Sequence, residues 1–134
     1  METKTSYSKG LKILKGPNPK GGNDYYYVEY RQPIGFDASI NSTGNLFNGV
    51  VIHQGNDTNS NSSHILNMNP SVTHFFTAAL SGSYIFQDLN ASGGGLSISV
   101  NSITSGGAAV TVILGGSTPS CVRANPSLSI SPFP

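Results

Sequence analysis

The sequence predicts an all-β fold: an antiparallel β-sandwich, jelly-roll-like, with seven to eight short strands and one short helical turn. Short runs rich in β-branched and aromatic residues recur along the chain, and such residues suit a pleated, half-buried surface. Clusters of Gly, Pro, Asn and Ser separate the runs and supply turns. An immunoglobulin-like sandwich is the alternative, although the chain has one Cys and no Trp with which to build an immunoglobulin core.

The strongest strand prediction covers residues 25–31, Tyr-Tyr-Tyr-Val-Glu-Tyr-Arg, which end at the turn formed by Pro33 and Gly35. The apolar, β-branched run 49–53 suits a central strand. The last two runs alternate apolar and polar residues around Gly106 and Gly107, which predicts an antiparallel hairpin. In order, the predicted strands and extended pieces are residues 11–14, 25–31, 49–53, 65–68, 84–87, 96–103 and 108–114.

Two segments between these runs carry their own predictions. Residues 54–63 are almost entirely Gly, Asn, Asp, Thr and Ser, which predicts a long polar loop. Residues 73–80, Thr-His-Phe-Phe-Thr-Ala-Ala-Leu, are the one stretch with helical character, too short to be stable alone. We expect a single turn that covers one end of the sandwich.

Charge and cysteine content narrow the function classes. Charged residues make up 10% of the chain and the net charge is +1, so no basic stripe for nucleic-acid phosphates is present. No apolar run approaches the roughly 18 residues that a membrane helix needs, so we expect no membrane partner. The single cysteine, Cys121, has no partner for an internal disulfide.

The composition favours a fragment of a secreted, extracellular protein. Polarity comes from Asn, Ser, Thr and Gly, a balance common in secreted β-rich proteins. The first residues, Met-Glu-Thr-Lys-Thr-Ser, have no hydrophobic core and do not form a signal peptide. We therefore expect a sandwich domain over residues 1–116, and a linker with the start of a following domain over residues 117–134.

The candidate binding residues lie on one face of the strongest predicted strand. Because side chains alternate along a strand, Tyr25, Tyr27, Glu29 and Arg31 share one face. Exposed tyrosines beside two opposite charges are a candidate contact surface. The alternative is a charge pair on the outer sheet surface, worth about 0–1 kcal/mol, and this is the favoured interpretation of Glu29 and Arg31.

Catalytic and transition-metal motifs are not apparent. The three histidines, His53, His64 and His74, are widely spaced, lie on no helix and have no Glu near them, so we interpret them as hydrogen-bonding residues. No nucleophile elbow or phosphate-binding glycine loop is evident. Calcium is the ion that the sequence suits best, through Asp88, Asn67 and Asn69 with Asp57, although solvated turn residues are the favoured alternative.

Several segments, taken in order, resemble one domain type. They are residues 27–37 (Tyr-Val-Glu-Tyr-Arg-Gln-Pro-Ile-Gly-Phe-Asp), 49–53, 66–70, 76–82 with 86–88, and 96–100. This pattern is similar to the β-sandwich module that follows the catalytic domain in gametolysin-like secreted zinc metallopeptidases, and it covers about residues 11–114. In that family the zinc and general base lie in an upstream His-Glu-x-x-His domain. This sequence lacks the motif, so the resemblance implies a non-catalytic domain. Of the family's acidic positions near Asn67, Thr77 and Asp88, only Asp88 is acidic here.

The resulting expectation is a non-catalytic accessory domain, not an enzyme, in a larger secreted protein. Its expected partners are the catalytic domain of the same polypeptide and a protein or polysaccharide polymer that it holds near that domain. A carbohydrate-binding or adhesion module is the main alternative, although sugar-stacking sites often use Trp. A self-contained hydrolase is a third, and it would require a nucleophile within hydrogen-bond reach of a base.

Overall fold

The computed structural model describes residues 10–39, 44–71 and 77–115. These residues form seven strands in two antiparallel sheets together with one 3-10 turn, so the predicted all-β sandwich is confirmed. The strands are β1 (Gly10–Pro17), β2 (Asn23–Tyr30), β3 (Val50–Asn56), β4 (Asn59–Ile65), β5 (Ile85–Asp88), β6 (Leu96–Thr104) and β7 (Gly107–Leu114). The described part of the chain contains no helix with the length and hydrophobicity that a membrane crossing requires.

Each sheet is a meander in which consecutive strands are hydrogen-bonded neighbours. The first sheet has the order β1-β2-β3-β4 and the second has the order β5-β6-β7. A jelly roll would alternate strands between the two sheets, so the observed connection differs from the jelly-roll-like one that we expected. The reason is the short turns after β1, β3 and β6, which can reach only the adjacent position in the same sheet.

The core between the sheets is built from the inward residues of β2, β3 and β6. Its buried members are Tyr26, Val28, Val50, Ile52, Leu80, Ala91, Leu96 and Ile98. The Tyr26 ring meets Phe86 of the second sheet edge-on at 5.1 Å, and its hydroxyl donates a hydrogen bond to Asp88 Oδ2 at 2.7 Å. Burial, together with the hydrogen bond to the Asp88 carboxylate, raises the pKa of Tyr26. This residue therefore joins the two sheets through packing and through one polar contact.

A second small cluster covers part of the outer face of the first sheet. Val51 points away from the main core, yet it is fully buried because Leu46 and Ala79 from the loops lie over it, with Ile65 alongside. This explains why Val50, Val51 and Ile52 are all apolar, as expected for a central strand buried on both faces. Towards the other end of β3, His53 on the outer face is only partly buried.

Residues 54–63 do not form the predicted loop. They contain the end of β3, a two-residue turn at Asp57 and Thr58, and most of β4. β4 is an edge strand whose side chains are largely exposed, so it needs backbone pairing but no apolar face. The serine at position 62 supports the hairpin, because its hydroxyl donates to the Asn59 carbonyl at 2.6 Å and accepts from the Asn56 amide at 2.7 Å.

The structure describes the turn predicted at residues 73–80 only from Thr77 onwards, and Thr77 itself has 3-10 conformation. A 3-10 turn spans Gly35–Ser39, where the sequence indicated only the end of a strand. Of the predicted turn at residues 73–80, residues 73–76 lie outside the described residues. Leu80, at its end, forms an isolated antiparallel bridge with Val50 and is extended. The predicted linker over residues 117–134 also lies outside the described residues.

Candidate binding site

The outer face of the first sheet brings together one side chain from each of three neighbouring strands. Tyr27 of β2 lies directly opposite Lys12 of β1 and opposite His53 of β3. Tyr25 and Glu29 flank Tyr27 on the same face because strand side chains alternate. We call this group the outer-face site and define it as Lys12, Tyr25, Tyr27, Glu29, Arg31 and His53.

A three-residue charge cluster forms one half of the site. Glu29 Oε1 accepts a hydrogen bond from Arg31 Nε at 2.7 Å and another from His53 Nε2 at 2.8 Å. Because a carboxylate oxygen only accepts, His53 Nε2 is the protonated ring nitrogen in this contact. The Glu29 and Arg31 side chains are about one-third exposed and His53 is less so. Asp37 lies at 3.7 Å from Arg31 Nη1 and adds a second, more distant negative charge.

The cluster keeps Glu29 ionised. Burial raises the pKa of Glu29, but the hydrogen bonds from Arg31 and His53 outweigh burial, so its pKa lies below the ordinary value of 4.5. At neutral pH the site therefore presents a fixed carboxylate beside a guanidinium. The favoured expectation was a simple pair between Glu29 and Arg31, whereas the structure shows that a histidine completes it.

The two tyrosines form the other half. The ring centroids of Tyr25 and Tyr27 are 6.3 Å apart and the rings are inclined at 49° to each other. Lys12 Nζ lies 3.9 Å from the centroid of the Tyr25 ring and 5.8 Å from that of Tyr27, within reach of a cation–π interaction. The rings are therefore held as an angled aromatic pair, not as one flat platform.

The charge cluster opens onto a polar groove of about 380 Å³. Tyr27, Glu29, Arg31 and His53 line one side of it. The β3–β4 hairpin lines the other side with small and amide-bearing residues: Gly55, Asn56, Asn59, Ser60, Ser62 and Ser63. A ligand in this groove would meet hydroxyl and amide groups along the hairpin and opposite charges along β2.

The structure brings together the four binding residues that the sequence singled out, Tyr25, Tyr27, Glu29 and Arg31. His53 was missed as a member of the site. The statement that no Glu lies near the histidines is wrong, because Glu29 contacts His53 across the β2–β3 pairing. Only the strand register could have revealed this contact. His64 pairs with Gln54 and so belongs to the opposite face of the sheet. His74 lies outside the described residues.

The predicted calcium residues form local hydrogen bonds. Asp88 accepts from the Tyr26 hydroxyl at 2.7 Å and from the Asn90 amide at 2.9 Å. Asn67 Oδ1 accepts from the Asn69 amide at 2.9 Å, and the Asn69 side chain accepts from the Ser71 hydroxyl at 3.1 Å. Across residues 10–39, 44–71 and 77–115, no three His, Cys, Asp or Glu side chains lie close enough to share a metal ion. Calcium binding by these residues stays a prediction.

No protein-family model, curated protein or solved structure matches the chain. The resemblance to the metallopeptidase accessory domain therefore stays a prediction, and the case for function depends on the geometry of the outer-face site.

Proposed function

We propose that this chain is a non-catalytic binding domain of a larger secreted protein of the metallopeptidase type, and that its outer-face site holds a protein polymer near the catalytic domain. The observation that carries this proposal is the side-by-side placement of Tyr25 and Tyr27 with the Glu29–Arg31–His53 cluster on adjacent strands. A site on paired strands is rigid, so little ordering free energy is spent when a ligand binds.

The chemistry of the site suits an extended polypeptide. The hairpin wall of the groove offers Asn and Ser groups that can hydrogen-bond main-chain amides. Arg31 and Glu29 offer one charge of each sign, and the tyrosines offer apolar area with a polar tip. Holding a polymer at this face raises its effective concentration for a domain linked to the same chain.

A carbohydrate-binding or adhesion module is the second candidate. The Asn- and Ser-lined groove favours it, because hydroxyl and amide groups also bind sugar hydroxyls. The 49° angle between the tyrosine rings disfavours it, since a sugar ring stacks best on one flat aromatic surface. If the domain only supports the catalytic domain structurally, the outer-face site binds no ligand.

Pull-down on immobilised gelatin, casein, chitin and cellulose tests these candidates. We expect retention on the protein polymers and a loss of at least about tenfold in affinity for Tyr27→Ala and for Arg31→Gln. Tyr84→Ala is the matched control, because Tyr84 is 69% exposed, lies just before β5 and takes no part in the site. Retention only on polysaccharides would select the second candidate. The proposal fails if no polymer is retained or if Tyr27→Ala binds as well as the wild type.

A further inference from the structure

The edge strands of the two sheets are protected unequally against pairing with other chains. β1 carries Lys12, Lys15 and Pro17 and has an irregular register between Leu14 and Gly16. β4 is polar except for Ile65 at its end, and β5 has only four residues and ends in a carboxylate. β7 has eight residues, Gly-Ala-Ala-Val-Thr-Val-Ile-Leu, with no charge and no proline. Such an edge is a template for strand addition.

The unprotected edge borders an apolar groove. Within the described residues, β7 is paired with β6 alone. Between β7 and β1 lies a groove of about 390 Å³ lined by Ile13, Leu14, Val112 and Leu114, with Lys12, Ser92 and Gly93 at its margin. Leu114 lies opposite the buried Leu96 on the inner side and is 66% exposed, so the groove leaves aliphatic surface in water. A strand added to β7 would cover this surface with its inward side chains.

We propose that the strand added here is β7 of a second copy of this chain, paired antiparallel about a two-fold axis near Thr111. This inference is independent of the proposed function. In such a pairing Val110 faces Val112 and Ala108 faces Leu114 on the inner side, while Ala109 faces Ile113 on the outer side. Apolar residues thus meet apolar residues on both faces, and each copy places its inward side chains in the groove of the other.

The distribution of charge over the four edge strands favours β7 as the strand that pairs with its own copy. An isologous contact places each residue of the strand near its own copy, so charged edges repel themselves. β1 would bring its lysines together and β5 would bring Asp88 towards its copy. β4 carries no fixed acid or lysine, but its side chains are polar apart from Ile65, which already packs against the second cluster. Among the edge strands in the described part of the chain, β7 alone combines neutrality with aliphatic surface left to bury.

Sedimentation equilibrium of the full chain, from micromolar to millimolar concentration, tests the proposal. We expect a monomer–dimer equilibrium whose dissociation constant rises about 100-fold or more in Thr111→Lys, because two ammonium groups then oppose each other at the axis. Asn101→Lys is the matched control. It breaks the same hydrogen bonds between Asn101 and Thr111 and adds the same charge, but on the internal strand β6. We expect it to dimerise as the wild type does.

Cysteine cross-linking locates the contact. In a Cys121→Ser background, Thr111→Cys should form a disulfide-linked dimer, because opposed antiparallel residues have Cα atoms about 4.5–5.5 Å apart and disulfides span about 4.4–6.8 Å. Ser99→Cys, on the neighbouring strand directly opposite Thr111, should not. A monomer at every concentration, or a dimer unaffected by Thr111→Lys, would overturn the proposal. Leu128 lies in the C-terminal residues 117–134. A monomer that Leu128→Asp destabilises would also overturn the proposal, because it would assign the groove to the chain's own C-terminal residues.

Discussion

The carboxylate of Glu29 offers the sharpest test of the outer-face site, through the substitution Glu29→Gln. Glutamine keeps the shape of the side chain and one acceptor oxygen but removes the negative charge that Arg31 and His53 share at 2.7 and 2.8 Å. A hydrogen bond to a charged group contributes about 1.5–3 kcal/mol when buried. Because Glu29 is 33% exposed, solvent screening reduces the expected loss of unfolding free energy to about 1 kcal/mol for the whole cluster.

The loss should depend on pH, with a sign fixed by the direction of the shift. The pKa of Glu29 is lower in the folded chain than its ordinary value of 4.5, so the unfolded chain binds the proton more tightly. The stabilisation is therefore fully present above pH 4.5 and disappears as the pH falls through the lowered folded-state pKa. We expect the wild type and Glu29→Gln to differ at pH 7 and to converge in strongly acidic solution.

Urea unfolding followed by circular dichroism at pH 7 and near pH 2 measures both effects. In thermal unfolding at pH 7, the melting temperature of Glu29→Gln should lie about 2–5 °C below that of the wild type. Asp37→Asn is the matched control, because it removes a negative charge that lies beside the cluster, 3.7 Å from Arg31 Nη1. Its effect should stay within about 0.5 kcal/mol. Equal stability of Glu29→Gln and wild type at pH 7, or an undiminished difference in acid, would refute the reasoning.

Three further substitutions and one control, Gly106→Ala, test the fold, each by urea unfolding. Ile52→Ala should cost about 2–5 kcal/mol, because Ile52 is fully buried between the sheets and its removal leaves a cavity. Gly49→Ala should lower the free energy of unfolding by about 1–3 kcal/mol, since a Cβ there would overlap the Leu80 carbonyl oxygen. The control Gly106→Ala should be neutral or slightly stabilising, because a Cβ there makes only an ordinary contact at 3.7 Å. Tyr26→Phe should lower the free energy of unfolding by about 1–2 kcal/mol, because the hydrogen bond to the Asp88 carboxylate on β5 is lost. An unchanged free energy of unfolding for Ile52→Ala, Gly49→Ala or Tyr26→Phe would contradict the packing described.

The sequence alone determined the fold class and the composition of one sheet face. Period-two alternation in residues 25–31 was enough to place Tyr25, Tyr27 and Glu29 on one face of the strand, because that periodicity is a local property of an extended backbone. The apolar run at Val50, Val51 and Ile52 likewise indicated a central strand. The final hairpin, β6 and β7, followed from alternation around a glycine turn.

Tertiary structure decided which strands are neighbours, and with that the contents of the site. His53 meets Glu29 only because β2 and β3 pair in one register, and a shift of one residue would turn His53 to the other face. The sequence did not predict β4, because an edge strand is held by backbone hydrogen bonds, and these do not require a particular pattern of side chains. Local chemistry fixes which way a side chain points along its own strand. Its partner across the sheet is set by strand pairing, which the packing of distant segments determines.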